Sequence, residues 1–398
     1  MFQRLEPIQT DTILSLMAAF RADTHPQKVD LGVGVYRNER GETPVCDAVR
    51  RAEAAVLARQ STKTYVAAAG NPGFNTAMQR LVLGEAHPAT SAGRVCTIQA
   101  VGGCGALRLG AELVRLASPD CAVHVSTPTW GNHVPLLSNC GLRLERYPYL
   151  DAATGGVQFA AMLAALERLP AGAVVLLHAC CHNPTGADLS EAQWRQLLVL
   201  FKERSLLPFI DLAYQGLGVG VPEDAFGVRL FAAELPEVLV AVSCSKSFGL
   251  YRERTGALHV INETPAAAEA VLSRLVRIAR GLYSMPPDHG AAIVAEILSH
   301  DGLRESWLQE LGEMRSRIEG LRQAAVQQLA QSCPWRDFGF IARQRGMFSY
   351  LGITAEQVRE LRMHHHIYMT EDSRINVVGL QGASLAYFAR ALAEVVRE

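Results

Sequence analysis

The sequence predicts an α/β fold: a large domain with a mostly parallel seven-stranded sheet flanked by helices, and a smaller α+β domain. Three observations predict it. The chain has 398 residues, more than one hydrophobic core usually serves, and 49% are hydrophobic against 19% charged, enough apolar material for two cores. From about Val95 short β-rich runs alternate with helical stretches. After about Ala291 the pattern turns helical, broken only by short mixed segments.

The expected strands are Val95–Ala100, Ala122–Ser126, Leu142–Tyr147, Val174–His178, Leu207–Asp211, Val238–Ser243 and Ala257–Ile261, each a short run bounded by turn residues. Between the first two, Gly102-Gly-Cys-Gly105 precedes an amphipathic helix, Ala106–Leu116. Trp307–Leu329 has apolar residues at helical spacing, Phe338–Leu351 is mixed, and Leu385–Val396 is a final helix. The large domain is expected to cover 44–313 and the small one 1–43 with 314–398. No internal repeat or low-complexity linker interrupts the chain.

Composition narrows the function. A net charge of −1 and a pI near 6.9 give no long-range attraction to nucleic acid or anionic membranes. No apolar stretch reaches the roughly 18 residues of a membrane span. The nine cysteines are scattered without metal-ligand spacing, and Met1-Phe-Gln-Arg-Leu-Glu lacks an apolar signal region, so a reducing cytoplasm with free thiols is expected. Cys180-Cys181 reads as two small core residues rather than a redox pair, and His364-His365-His366 as a helix terminus rather than a metal site. No metal is expected.

Lysine is scarce: Lys28, Lys63, Lys202 and Lys246 are the only four among 38 basic residues. Lys246 lies just past the buried run Val238–Ser243, where burial lowers an amine's pKa and makes it a nucleophile toward carbonyls. In open α/β sheets functional residues gather at the carboxyl ends of strands. Four other strand ends carry unusual text: Gly102-Gly-Cys-Gly105, Thr127-Pro-Thr-Trp130, His182-Asn-Pro-Thr-Gly186 and Asp211-Leu-Ala-Tyr214. The glycine turn offers backbone N–H groups to an anion at a helix N-terminus, and Ser243, Ser245 and Arg254 add phosphate donors around the lysine. A phosphate beside a nucleophilic lysine points to pyridoxal phosphate. Asp211 is then placed to hold the pyridinium nitrogen protonated, Tyr214 and Asn183 to reach the phenolate oxygen, and Trp130 to stack on the ring.

The ordered motifs Gly-Gly-x-Gly, Pro-x-Trp-x-Asn-His, His-Asn-Pro-Thr-Gly, Asp-x-Ala-Tyr-Gln-Gly, Ser-x-Ser-Lys-x-Phe-Gly-Leu-Tyr-x-Glu-Arg and Ser-Arg-Ile-Asn resemble the aspartate and aromatic aminotransferases of fold type I, pyridoxal-phosphate-dependent transferases. The resemblance runs from Asp30 to Gly379. It implies that Lys246 anchors the cofactor and carries the α-proton, with Asp211 and Tyr214 as its catalytic companions. Gly103, Cys104, Ser243, Ser245 and Arg254 would bind the cofactor phosphate, with Tyr65 from a neighbouring subunit, and His133 would support Asp211. Arg374 would grip the substrate α-carboxylate, and Gly34 would lie near the substrate. Arg280 matches a partner-subunit arginine that meets a side-chain carboxylate. A homodimer with shared sites, amino acids and 2-oxo acids as substrates, and ping-pong kinetics follow from the resemblance.

Three positions depart from the family. Cys104 stands where relatives usually carry threonine or serine, so one hydroxyl bond to the phosphate is lost and looser cofactor affinity is expected. His366 occupies a place where relatives usually show glycine. Met285 replaces the asparagine common in enzymes restricted to acidic substrates, which favours an aromatic ring beside Arg280. An aromatic-amino-acid aminotransferase using 2-oxoglutarate as acceptor is therefore expected, with aspartate aminotransferase as the alternative. Lyases and decarboxylases share the fold type, but Arg374 with Arg280 favours a substrate that keeps its α-carboxylate and an acceptor with two carboxylates. A cofactor-sensing regulator would carry a DNA-binding module, which neither the charge nor the segment before Asp30 provides.

Overall fold

The computed structural model describes residues 2–4, 6 and 12–397. Its strands in chain order are β1 (Val29–Asp30), β2 (Val95–Val101), β3 (Ala122–Thr127), β4 (Arg143–Pro148), β5 (Val174–His178), β6 (Leu207–Leu212), β7 (Val238–Ser243), β8 (Thr255–Ile261), β9 (Phe348–Tyr350), β10 (Ile367–Tyr368) and β11 (Arg374–Asn376). The seven expected strands, β2 to β8, form one sheet in the order β2-β8-β7-β6-β5-β3-β4. Only β8 runs antiparallel to its neighbours. It is reached from β7 by a short loop without a crossover helix, which an antiparallel pair permits and a parallel pair does not.

Alternate side chains of the central strands enter two separate cores. Val175 and Leu177 of β5, Ile210 and Leu212 of β6 and Val240 of β7 pack on one face; Val174, Leu176, Phe209 and Leu239 pack on the other. Helices cover both faces, so these strands read as continuous apolar runs. The order also explains the site's position. From β5 the sheet grows one way through β6 and β7 and the other way through β3 and β4, and the loops after these strands part around a crevice.

Two small sheets complete the molecule. β1 pairs in parallel with β10, bringing the N-terminal segment to the C-terminal part, and β9 pairs antiparallel with β11. The helix expected at Trp307–Leu329 runs unbroken from Asp301 to Ser332, and the final helix covers Ala383–Val395. The histidine triplet ends a helix, Ala355–His365, as its sequence predicts. His366 follows in the left-handed conformation with φ 52°, which accounts for glycine being usual there. Its strain is offset by a hydrogen bond to Asp23 (2.8 Å) and by stacking on His25 at 3.9 Å. Cys180 and Cys181 are buried core residues, and all nine cysteines are free.

Candidate active site

The loops after β3, β5, β6 and β7 converge with the start of the helix after β2 on one cavity of about 230 Å³. Lys246 lies in the loop between β7 and β8. Burial lowers its pKa, with the nearby charges of Arg254 and Arg374 adding to the effect and Asp211 and Cys104 opposing it. No other lysine lines the cavity. In cofactor-free protein the Lys246 amine is therefore expected to titrate below the ~10.4 of an unperturbed lysine. Labelling by an amine-acylating reagent, followed by mass spectrometry against pH, checks this: reactivity should rise through a midpoint below that value, and a midpoint at or above it would contradict the burial argument.

Asp211 lies near the end of β6, paired in register with His178 of β5. Burial pushes its carboxyl up, but the His133 hydrogen bond and the neighbouring histidines and Lys246 outweigh this and hold it below the ordinary range. His178 itself is pushed down to about 3 by burial and by His133, so at neutral pH it is uncharged and the holding falls first to His133, through its hydrogen bond, and then to Lys246. His133 Nε2 lies 3.0 Å from Asp211 Oδ2, and its Nδ1 lies 2.9 Å from Thr129 Oγ1. A carboxylate only accepts, so Nε2 carries the proton toward Asp211 and Nδ1 accepts from the threonine hydroxyl. This chain fixes the aspartate's orientation and leaves it anionic beside the cavity.

The wall near the helix Gly102–Ala117 has the features of an anion cradle. The helix was expected from Ala106, but it begins at Gly102, so the glycines form its first turn and their N–H groups have no intrahelical acceptor. Space dictates glycine here: a Cβ on Gly102 would lie 2.8 Å from Arg254 Nη2, and one on Gly103 would lie 3.0 Å from Ser243 Cβ. Arg254 is steadied by the Tyr251 carbonyl (3.0 Å) and Ser245 Oγ (3.5 Å). Ser243, Ser245 and Cys104 complete this wall.

The opposite side is built from the two small sheets. Arg374, at the start of β11, is buried and donates to the Gly32 carbonyl (2.6 Å) and to Asn183 Oδ1 (3.3 Å). Its guanidinium lies 4.5 Å over the Phe348 ring. Tyr214 is buried, which raises its hydroxyl pKa, and the Lys246 ammonium lies 5.3 Å from its ring centre. Gly34 and Trp130 also line the cavity, the tryptophan edge-on to His133.

Tyr65, Arg280 and Met285 do not line this cavity. Tyr65 is 90% exposed, Arg280 is exposed and bonded to Ser284, and Met285 is half-buried five residues further on. Sequence reasoning missed Ile13, Leu107, His178, Ala213 and Phe348, all of which line it. His178 closes β5 and had the same strand-end signal as Asp211. It is buried, yet neither ring nitrogen has a partner among the described residues. The backbone of Phe348 is held by Arg322, a buried guanidinium that donates to the Phe348 carbonyl (2.5 Å), to the Gly346 and Ile341 carbonyls (2.7 and 2.8 Å) and to the Ser349 hydroxyl (2.7 Å).

Comparisons with known proteins place the chain in a family. The profile of the family described as "Aminotransferase class I and II" matches residues 26–392. The chain is 45% identical over 396 residues to the aspartate aminotransferase of Pseudomonas aeruginosa, covering all of both chains. It is 46% identical to the aromatic-amino-acid aminotransferase of Paracoccus denitrificans, over 99% of this chain and 100% of that one. It superposes with a TM-score of 0.97 and 48% identity, over 100% of both chains, on the aromatic-amino-acid aminotransferase of Burkholderia pseudomallei, whose crystal structure has pyridoxal phosphate covalently bound. A profile spanning most of the chain, relatives matched end to end and a shared fold lead to one conclusion: this chain belongs to the class I and II aminotransferase family.

Proposed function

We propose that this aminotransferase uses pyridoxal 5'-phosphate to move the amino group of tyrosine, phenylalanine or an acidic amino acid to 2-oxoglutarate, by a ping-pong mechanism. The observation that carries this reading is the meeting, in one cavity, of a lysine with a depressed pKa, an anionic buried aspartate and an anion cradle. Their chemistry fits the cofactor: the glycine–serine–arginine wall suits a phosphate, and Asp211 suits a protonated ring nitrogen. When bound, pyridoxal phosphate supplies an aldehyde for the lysine amine and an electron-poor ring that takes up the electrons freed at the substrate α-carbon.

The phosphate would be held by the backbone at Gly103 and Cys104 and by Ser243, Ser245 and Arg254. Asp211, oriented by His133, would keep the ring nitrogen protonated. Asn183 and Tyr214 would donate to the phenolate oxygen, and Trp130 would stack on the ring. Arg374 would bind the α-carboxylate, its fork preset by Gly32, Asn183 and the face of Phe348. Lys246, whose amine burial shifts toward the neutral form, would hold and move the substrate α-proton at its Nζ.

Two groups would come from a second copy of the chain. Tyr65 and Arg280 carry phosphate- and carboxylate-binding chemistry but stand exposed outside the chain's own cavity, which supports a homodimer with shared sites. The small domain, 1–43 with 314–398, would move as a unit: β1 pairs with β10, although the boundary near 314 falls inside the helix Asp301–Ser332. Among the described residues no helix is long and apolar enough to cross a membrane, and free buried thiols support a cytoplasmic location.

Aromatic preference rests on Met285, which lies outside the chain's own cavity and, on the same segment as Arg280, would reach a substrate ring with it from the second copy. Retaining Arg280 keeps glutamate and 2-oxoglutarate as substrates. Measuring kcat/KM for tyrosine, phenylalanine and aspartate on purified protein tests the preference. The aromatic values should equal or exceed that for aspartate. Aspartate exceeding both by orders of magnitude would assign the chain as an aspartate aminotransferase.

A further inference from the structure

Arg322, in the helix Asp301–Ser332, is 2% exposed and keeps its charge at neutral pH, burial pushing it down only to about 10. A buried charge is normally held by an opposite one. Every hydrogen-bond partner of Arg322 among the described residues is instead a neutral oxygen of the segment 341–349. Its Nε donates to the Gly346 carbonyl (3.0 Å), Nη1 to the Ile341 carbonyl and the Ser349 hydroxyl (2.8 and 2.7 Å), and Nη2 to the Arg345, Gly346 and Phe348 carbonyls (3.1, 2.7 and 2.5 Å). Ser349 donates in turn to Gln344 Oε1 (2.6 Å). The segment is wrapped around one planar fork, a geometry that the point charge of a lysine does not reproduce.

That segment touches both supports of Arg374. The Phe348 ring lies 4.5 Å under the Arg374 guanidinium and edge-on to Tyr214 at 6.0 Å, and a Cβ on Gly34 would lie 3.0 Å from its Cζ. The ring is therefore wedged among residues that line the cavity. The backbone of the same segment abuts the loop that carries Asn183, the other contact of Arg374. Arg345 N–H donates to the Gly186 carbonyl (2.8 Å), a Cβ on Gly186 would lie 2.4 Å from the Phe348 carbonyl oxygen, and one on Gly346 would lie 2.4 Å from Cys181 Cβ. With contacts this close on both sides, a shift of the backbone at 346–348 displaces either the Phe348 ring or the Asn183 loop.

We propose that Arg322 is a positioning residue for the substrate carboxylate: by fixing the backbone of Phe348 it sets the seat on which Arg374 receives the α-carboxylate. This rests on the function proposed above. Amino donor and 2-oxo acceptor both carry that carboxylate, so a disturbed seat weakens both substrates alike. The phosphate cradle stands on the opposite wall, so cofactor loading is unaffected. A role confined to holding the fold together would instead lower stability and leave the KM of the surviving holoenzyme unchanged.

The test is a double-mutant cycle on full-length holoenzyme, with Arg322→Met, Phe348→Leu and the two combined, and Arg322→Lys as the conservative variant. Steady-state kinetics with tyrosine and 2-oxoglutarate are measured on protein whose cofactor content is checked by visible absorption. Arg322→Met should lower kcat/KM for both substrates by a common factor of about 2 to 30, the reach of the Arg374–Phe348 contact. The loss should fall on KM, with kcat kept within about twofold. Arg322→Lys, which keeps the charge but not the fork, should fall between Arg322→Met and the wild type. Phe348→Leu should also weaken both substrates, and the combined variant should be no worse than the poorer single one, whereas independent effects would multiply. If Arg322→Met yields no folded holoenzyme, the cycle is run with Arg322→Lys. Unchanged KM values in a folded, loaded Arg322 variant, a loss confined to kcat, or multiplying effects in the combined variant would overturn the positioning role alone. Absence of turnover by the wild type in the same assay would overturn both that role and the proposed function.

Discussion

Lys246→Ala is expected to abolish transamination, lowering kcat by at least about 10⁴-fold, the upper range for a positioned proton carrier, and to remove the visible absorption of the anchored cofactor. Alanine deletes the one amine in the cavity and leaves the surrounding cradle intact. Lys246→Arg separates amine chemistry from charge. It keeps a cation beside Asp211 but cannot supply a neutral base near neutral pH, because a guanidinium stays protonated. Both variants should lose activity together. Steady-state kinetics and an absorption spectrum of each purified variant check this, and a variant keeping both band and turnover would remove the lysine from the reaction.

Asp211→Asn is the second large effect. The amide cannot hold a ring nitrogen protonated, and its NH₂ cannot accept the proton that His133 Nε2 now directs at Oδ2 over 3.0 Å. Loss of a preorganised charge at such a position costs about 10²–10³ in kcat. The KM for the amino donor should change far less, because Arg374 and its Phe348 support lie on the other side of the cavity. The fold should survive, since a neutral amide removes a buried charge rather than creating one. A drop in kcat below tenfold, or a loss confined to KM, would show that Asp211 does not act on the cofactor ring.

Much of this was legible in the sequence for identifiable reasons. β5, β6 and β7 are buried on both faces, so Val174–Leu177, Leu207–Ile210 and Val238–Val242 read as unbroken apolar runs. Asp211, Asn183 and Lys246 stand out as polar residues at, or within a few positions after, the ends of these strands. What was illegible is nonlocal or too short to be periodic. β1 and β10 are two residues each, and nothing in either segment announces that Val29 pairs with Ile367. Phe348 reads as one aromatic in a mixed segment; only the β9–β11 pairing brings it beneath Arg374. Ile13 reaches the cavity from the helix Thr12–Ala22, far in sequence from every motif. The helix starts at Gly102 and not at Ala106; glycine is a poor helix former, so the early start is hidden in the sequence, and glycine is required there by the left-handed φ of 66° at Gly102 and by the closeness of Arg254 and Ser243.

Removal of an amino group and its storage for a second substrate are tested most directly by a half-reaction: cofactor-loaded protein is mixed with excess tyrosine and no acceptor. The expected result is a single equivalent of the corresponding 2-oxo acid per protomer, bleaching of the visible band, no ammonia or carbon dioxide, and full return of the band with glutamate formation when only 2-oxoglutarate is supplied after the tyrosine is removed. Continuous product formation without an acceptor, or release of ammonia or carbon dioxide, would contradict it.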